Sequence, residues 1–203
     1  MSFLIVLALT TAAGDLLSLA ERQDGSTGID RSITSSVIAG RSSWLTALAR
    51  SLSTIGSQKL LLPVVAVAAL MLLVRRAGSL ALLLVLCWAG GLELYSLAKY
   101  FVGRPRPPMQ IWLSGASGSA FPSGHATQSL STFGALALVC VALLPRARLA
   151  APGLALVLAA GVGWSRVYLG VHWATDVVAG WLAAAAWVAI LAWLAHTRCS
   201  SRD

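Results

Sequence analysis

The sequence predicts an all-α polytopic membrane protein, a bundle of six transmembrane helices with an interfacial amphipathic helix after the first. Of its 203 residues, 58% are hydrophobic and only 11% are charged, against roughly 25% in an ordinary soluble domain. The mean hydropathy of +0.80 is also too high for a water-soluble chain of this length, which needs polar side chains to cover its surface. Finally, the charge-free stretches are long enough to cross a bilayer.

The first predicted helix covers residues 2–20 and is interrupted by Asp15. It lacks a basic region before the apolar stretch and a clear small-residue cleavage site, which favours a retained helix over a signal peptide. Five further stretches, with their flanking residues, match the roughly 30 Å of a bilayer at about 1.5 Å per residue. They are residues 60–74, 80–98, 126–144, 149–165 and 177–195. We expect one domain over 1–203, with its core at 60–195.

A long polar connector, residues 21–59, separates the first two predicted spans. Its second half carries apolar residues at helical spacing, which predicts an amphipathic helix lying in the membrane interface. These residues are Trp44, Leu45, Leu48, Leu52 and Ile55. Two interpretations stay open: the connector is a gate beside a lipid-accessible site, or it is a plain surface connection.

The basic residues indicate how the bundle is oriented. With six spans, the arginines at 75, 76, 146 and 148 and those of the C-terminal tail lie on the side of the N-terminus. The positive-inside rule makes that side cytoplasmic. The connector and the loops at 99–123 and 166–173 then lie on the opposite side. The net charge of +8 thus reflects topology signals and the anion site described next, and it does not indicate a nucleic-acid partner.

Three polar clusters lie at the ends of spans on this second side, where different helices can bring them into one pocket. In chain order they are Lys99-x6-Arg106-Pro107, Pro122-Ser123-Gly124-His125 and Ser165-Arg166-x5-His172-x3-Asp176.

The residue types in these clusters favour a phosphate as the ligand. Lys99, Arg106 and Arg166 suit an oxyanion, and the planar fork of arginine matches phosphate oxygens. Ser123 and Gly124 add a hydroxyl and backbone N–H groups at the expected start of a helix. The acidic residues of the apolar spans are too widely separated for a dinuclear metal site. The sequence therefore predicts a phosphate cradle that uses no metal.

Two histidines complete the predicted chemistry. His172 and Asp176 are four residues apart, so on a helix the carboxylate can hold one imidazole nitrogen as N–H and leave the other free to attack. We therefore expect His172 to be the nucleophile. His125 would protonate the leaving oxygen and then activate the water that hydrolyses the phosphohistidine intermediate.

These motifs resemble those of the type 2 phosphatidic acid phosphatase superfamily, whose pattern K-x6-R-P, P-S-G-H and S-R-x5-H-x3-D is met without a mismatch. The resemblance covers about residues 60–195. It implies a six-helix, metal-independent lipid phosphatase without a cofactor. It also implies the same roles for the residues: phosphate ligands at Lys99, Arg106 and Arg166 with Ser123 and Gly124 beside them, acid and base at His125, nucleophile at His172 and its orienting partner at Asp176.

The resemblance also implies a substrate and a location. Small bacterial members of this family often recycle undecaprenyl diphosphate, so the resemblance implies a polyprenyl diphosphate of this kind as the substrate. Phosphatidic acid or phosphatidylglycerol phosphate is the alternative. We expect an integral protein of the bacterial inner membrane with an extracytoplasmic active site. Two other classes remain: a vanadium-dependent haloperoxidase, a soluble enzyme that the predicted membrane spans argue strongly against, and a non-enzymatic lipid-phosphate binding or transport protein. The sequence indicates no oligomeric state.

Overall fold

The computed structural model describes residues 2–19 and 26–200, and these residues form an all-α fold in which no strand occurs. The all-α prediction is confirmed. The helices are α1 (Ser2–Leu19), α2 (Gly28–Ala39), α3 (Ser43–Ile55), α4 (Gln58–Val74), α5 (Gly78–Val102), α6 (Gly124–Leu143), α7 (Ala150–Tyr168) and α8 (Ala174–Ser200). Residue 20, residues 21–25 of the connector and Arg202 lie outside the described residues.

Four of these helices, α5 to α8, are long and apolar enough to cross a membrane. α3 and α4 meet at a 44° bend, and together they count as a fifth candidate span. The apolar part of α1, Ser2–Asp15, is shorter than a span. The described chain therefore has four or five candidate spans, and the predicted count of six is not confirmed. The segment 60–74 in particular does not stand alone, because α4 reaches span length only with α3.

The connector contains two helices where the sequence predicted one. α3 is the expected amphipathic helix, and it packs against α7 with Trp44 and Leu48 exposed. Its position in the membrane interface stays a prediction. α2 was not predicted; it begins at a capping box in which Thr27 and Asp30 exchange hydrogen bonds.

α6 is the central helix of the bundle and packs against α5, α7 and α8. Small residues allow these helices to approach closely. A Cβ at Gly163 of α7 would lie 2.2 Å from Trp181 of α8, and a Cβ at Gly90 of α5 would lie 2.2 Å from Trp187. The outer faces of α4, α7 and α8 expose large aliphatic side chains such as Leu182, as expected when lipid is the solvent.

The helix ends that carry the three polar clusters meet at one end of the bundle. α5 ends at Gly103 with a φ of 66°, and the turn between α7 and α8 contains Gly170 with a φ of 75°, both in the left-handed region that favours glycine. The start of α6 is joined to α8, because the backbone N–H of Ser123 donates to the Asp176 carbonyl at 2.9 Å. Residues far apart in the chain thus surround one cavity.

Candidate active site

A cavity of about 280 Å³ opens at this end of the bundle. Six of the eight predicted site residues line it: Lys99, Arg106, Gly124, His125, Arg166 and His172. The other two, Ser123 and Asp176, are fully buried behind it. A larger cavity of about 510 Å³ lies between α1 and α8, but none of the described residues that line it is ionisable. The smaller cavity is therefore the candidate site for phosphate chemistry.

His172 lies in the short turn between α7 and α8, with its two ring nitrogens facing different partners. Nδ1 is 3.3 Å from Oδ2 of Asp176, and Nε2 is 3.1 Å from a terminal nitrogen of Arg106. Because the guanidinium can only donate, Nε2 accepts, and the ring proton belongs on Nδ1, which donates to Asp176. The lone pair of Nε2 thus points at Arg106, which lines the cavity, and this hydrogen bond has to break before Nε2 can attack a bound phosphate.

The protonation state of His172 also suits attack. Burial lowers the pKa of His172 well below its usual value, and the nearby positive charges of Arg106, Lys99 and Arg166 lower it further. The imidazole of the ligand-free protein is therefore neutral at pH 7.

Asp176 lies in the first turn of α8 and uses its two oxygens separately. Oδ1 accepts a hydrogen bond from Arg104 at 2.6 Å. Oδ2 accepts from the backbone N–H of Trp173 at 2.8 Å and faces the imidazole of His172. The carboxylate is thus held in one orientation, which is the geometry expected of a partner that orients a nucleophile.

The cations of the cavity are oriented mainly by uncharged acceptors. The guanidinium of Arg106 donates to the carbonyl oxygens of Ser117 at 2.8 Å, Gly118 at 2.9 Å and Val171 at 2.6 Å. Since a carbonyl has no net charge, these bonds fix the side chain and leave its positive charge for a bound anion.

Lys99 and Arg166 are held in a similar way. The ammonium of Lys99 donates to the carbonyl of Ser119, and the guanidinium of Arg166 donates to the hydroxyl of Ser53 on α3. Ser53 was not predicted as a site residue. Its only sequence signal is a polar position on the amphipathic helix.

The start of α6 contributes the remaining predicted residues. His125 is half-buried in the first turn and Gly124 lines the cavity beside Tyr95, from which a Cβ at Gly124 would be only 3.0 Å. Ser123 caps the helix, since its hydroxyl accepts from the N–H of Ala126 at 3.5 Å. The roles of His125, Gly124 and Ser123 toward a phosphate stay predictions.

Arg104 and Asp30, like Ser53, were not among the predicted site residues. Arg104 lies two residues before Arg106, but its side chain is only 1% exposed and forms ion pairs with Asp176 and Asp30. The spacing of the motif selects Arg106 and says nothing about Arg104. The only sequence signal at Asp30 is its place in the capping box of α2.

The profile of one protein family matches residues 78–199, which is more than half of the chain. The chain belongs to the PAP2 superfamily. The match includes all three polar clusters, and the resemblance predicted from them is confirmed. As a PAP2 protein with several apolar helices and phosphatase relatives, the chain is an integral membrane phosphoric ester hydrolase.

Several named proteins are similar to this PAP2 chain in sequence or in fold. Phosphatidylglycerophosphatase B of Bacillus subtilis is 29% identical over 168 residues, covering 81% of this chain and 82% of the relative. Undecaprenyl-diphosphatase of Sulfolobus acidocaldarius is 31% identical over 140 residues, covering 64% and 61%. The crystal structure of a transmembrane PAP2 type phosphatidylglycerolphosphate phosphatase from Bacillus subtilis matches with a TM-score of 0.75 at 25% identity, covering 100% of this chain and 96% of that one.

Proposed function

We propose that the protein hydrolyses a lipid diphosphate or phosphate through a phosphohistidine intermediate, with a polyprenyl diphosphate such as undecaprenyl diphosphate as its substrate. One observation carries the proposal: Nε2 of His172 faces a cavity lined by Lys99, Arg106 and Arg166, while Nδ1 is directed at Asp176. A neutral imidazole is a nucleophile, and three cations attract the phosphate oxygens and so hold the phosphorus that it would attack.

The first step forms a bond from Nε2 of His172 to the terminal phosphorus and breaks the bond from phosphorus to the leaving oxygen. His125, protonated when the phosphate anion is bound beside it, donates a proton to that oxygen. In the second step, water attacks phosphorus, the P–N bond breaks and His125 takes a proton from the water. The ring of His172 is positively charged while phosphorylated, and the carboxylate of Asp176 stabilises that charge.

The charge around the cavity favours a diphosphate. Asp176 and Asp30 share Arg104, so one of their two negative charges is left unbalanced behind His172. The three positive charges of Lys99, Arg106 and Arg166 exceed it and leave a positive excess for the substrate. A diphosphate carries more negative charge than a phosphate monoester, which has about −1.5 to −2 at pH 7. The Sulfolobus relative, named as an undecaprenyl-diphosphatase, supports the same choice.

The second candidate substrate is phosphatidylglycerol phosphate, with phosphatidic acid in the same class. Two glutamines also line the cavity, Gln58 at the start of α4 and Gln128 in α6. Within the described part of the chain, Nε2 of Gln58 and Oε1 of Gln128 have no hydrogen-bond partner. A glycerophospholipid places hydroxyl and ester groups near its phosphate that suit such amides, whereas a polyprenyl chain has none.

The test is phosphate release by the purified protein from undecaprenyl diphosphate, phosphatidylglycerol phosphate and phosphatidic acid, with and without EDTA. We expect the highest kcat/KM on the diphosphate and no loss with EDTA. A preference for phosphatidylglycerol phosphate would replace the proposed substrate with the second candidate. Binding of all three lipids without phosphate release would favour the lipid-phosphate binding or transport protein, and loss of activity with EDTA would overturn the metal-free mechanism.

A trapping experiment tests the intermediate. Protein that is mixed with substrate labelled on the terminal phosphate and quenched in alkali should retain label, because phosphohistidine is stable to base and labile to acid. Label that survives acid would place the phosphoryl group on a different residue.

The proposal places the active site on the extracytoplasmic face of the bacterial inner membrane. The exposed residues Ser117, beside the cavity, and Ser79, at the opposite end of α5, lie on different faces. In a cysteine-free background, Ser117→Cys should react with a membrane-impermeant thiol reagent added outside intact cells, and Ser79→Cys should not. The reverse pattern would invert the topology.

A further inference from the structure

Arg104 forms a buried bridge between two carboxylates on different helices. Its terminal nitrogens lie 2.6 Å from Oδ1 of Asp176 and 2.9 Å from Oδ2 of Asp30, and one of them also donates to the hydroxyl of Thr175 at 2.7 Å. The side chains of both acids are 0% exposed. We call Asp30, Arg104, Thr175 and Asp176 the rear network, because they lie behind His172.

Asp30 connects this bridge to the connector between α1 and α3. It lies in the first turn of α2, where it accepts hydrogen bonds from Thr27. Its Oδ1 accepts from the backbone N–H of Thr175 at 3.0 Å. Burial raises the pKa of Asp30, but hydrogen bonds from Thr175, Thr27 and Arg104 outweigh this effect and lower the pKa below its usual value. Asp30 is therefore charged, and it joins the start of α2 to the start of α8.

The bridge constrains the carboxylate that faces the nucleophile. Arg104 holds Oδ1 of Asp176, and the N–H of Trp173 holds Oδ2. With both oxygens bound, the carboxylate cannot rotate away from Nδ1 of His172 without breaking a charge-assisted hydrogen bond. The charges within the rear network sum to −1, which suits the positive charge that develops on the imidazole as it is phosphorylated.

We propose that Arg104 and Asp30 are positioning residues for the nucleophile: they hold Asp176 in the rotamer that keeps Nδ1–H of His172 bonded and Nε2 unprotonated. The inference rests on the proposed function and deepens it. It also assigns a role to α2, whose first turn completes the support of the active site. Neither residue touches the cavity, so their contribution acts through Asp176 alone.

This role predicts an effect on rate and not on phosphate binding. In Arg104→Lys the charge stays but the fork that reaches both carboxylates is lost. In Asp30→Asn the shape stays but the charge is lost. We expect kcat to fall by about 10-fold to about 100-fold in each variant, the range for misplaced catalytic groups. The inhibition constant of inorganic phosphate should change by less than about threefold, because the cavity cations are untouched.

The controls repeat each chemical change elsewhere in the chain. Arg148→Lys alters an exposed arginine at the opposite end of the bundle, and Asp15→Asn alters an exposed carboxylate on α1. Both should keep wild-type kcat. The double variant Asp30→Asn/Arg104→Lys should lose no more rate than the more affected single variant, because the two residues act through one contact.

Folding and positioning are separated by a third, near-isosteric variant. Thr175→Val removes the hydroxyl that contacts both Arg104 and Asp30 and should lower kcat by about threefold to about tenfold. If Arg104→Lys or Asp30→Asn does not fold, the kcat of Thr175→Val and its inhibition constant for inorganic phosphate test the inference instead.

Two results would overturn the inference and leave the proposed function intact. In the first, the folded variants release phosphate at the wild-type rate. In the second, they keep the wild-type kcat but bind inorganic phosphate more weakly. A wild-type protein that releases no phosphate from any lipid would instead reject the proposed function.

Discussion

The wall of the cavity, formed by the cations Lys99, Arg106 and Arg166, and the rear network use arginine in opposite ways. Arg106 and Arg104 are separated by one proline, yet the guanidinium of Arg106 is anchored by carbonyl oxygens and the imidazole of His172, all uncharged, whereas Arg104 is paired with two carboxylates. The contacts of Arg106 orient its positive charge without neutralising it. The ion pairs of Arg104 neutralise its charge and fix the orientation of the two carboxylates.

The segment from Arg104 to Arg106 thus serves two purposes: Arg106 is placed to bind a phosphate, and Arg104 holds the carboxylates behind the proposed nucleophile. A cation held by neutral dipoles keeps its attraction for a phosphate, particularly in a site that excludes water. A buried cation that contacts carboxylates has no attraction to spare but holds them in place, and removing one partner would leave an uncompensated charge. Changes in the wall should therefore alter transition-state and anion binding, and changes in the rear network should alter the nucleophile.

The largest effect is expected at His172, where wall and rear network meet. His172→Gln keeps a hydrogen-bonding side chain of similar length but removes the nucleophile. Phosphate release should fall by at least about 1,000-fold, as for other enzymes that lose a nucleophile. The variant should also retain no label after an alkaline quench. Activity close to that of the wild type would show that another group attacks phosphorus.

Arg166→Ala should have the next largest effect, because it removes a cation from the wall. Loss of one donor to a transition-state anion costs about 100-fold to about 1,000-fold in rate. The inhibition constant of inorganic phosphate should rise as well, which distinguishes this variant from Arg104→Lys. Arg148→Ala is the matched control. A loss of kcat with unchanged phosphate inhibition would place Arg166 with the rear network.

A smaller effect concerns the pH at which His172 titrates. Because burial and the wall cations lower its pKa, the ligand-free imidazole should stay neutral below pH 6.5, the usual midpoint for histidine. An NMR titration of ¹⁵N-histidine-labelled protein, with His172→Gln to assign the signal, measures this directly. The same shift implies that stability falls as pH drops below about 6.5, since the unfolded chain then binds a proton that folded His172 does not. A midpoint at or above 6.5 would contradict the burial argument.

The smallest effect is expected at Ser123, which the sequence pattern assigns to phosphate and the structure shows as a helix cap. Loss of a cap costs about 0.5–2 kcal/mol, and the 3.5 Å length of this bond favours the lower end. Ser123→Ala should lower the midpoint of thermal unfolding slightly and change KM by less than about threefold. A tenfold rise in KM would support the direct phosphate contact.

The sequence was sufficient to predict features that depend on residues close together in the chain. A spacing of four residues predicted the pairing of His172 with Asp176, and the two are in contact, although His172 lies in the turn before α8 and only Asp176 is on the helix. Long apolar stretches predicted the positions of α5 to α8, because an uncharged helix of that length has few other environments. The predicted count of six spans was not confirmed, because the apolar part of α1, Ser2–Asp15, is shorter than a span and α4 counts as one only together with α3.

What only the tertiary structure decided is which partners the buried charges have. A motif shows that Arg106 is spaced correctly from Lys99, but it does not show that Arg104 turns inward to Asp30, 74 residues away in the chain. Ion pairs between distant segments depend on how helices pack, and packing depends on many weak contacts that no single spacing records. By itself, the sequence determined an all-α membrane phosphatase and the positions of its candidate catalytic histidines. The fold determined which residues hold His172 in place, because orientation is a property of the assembled helices.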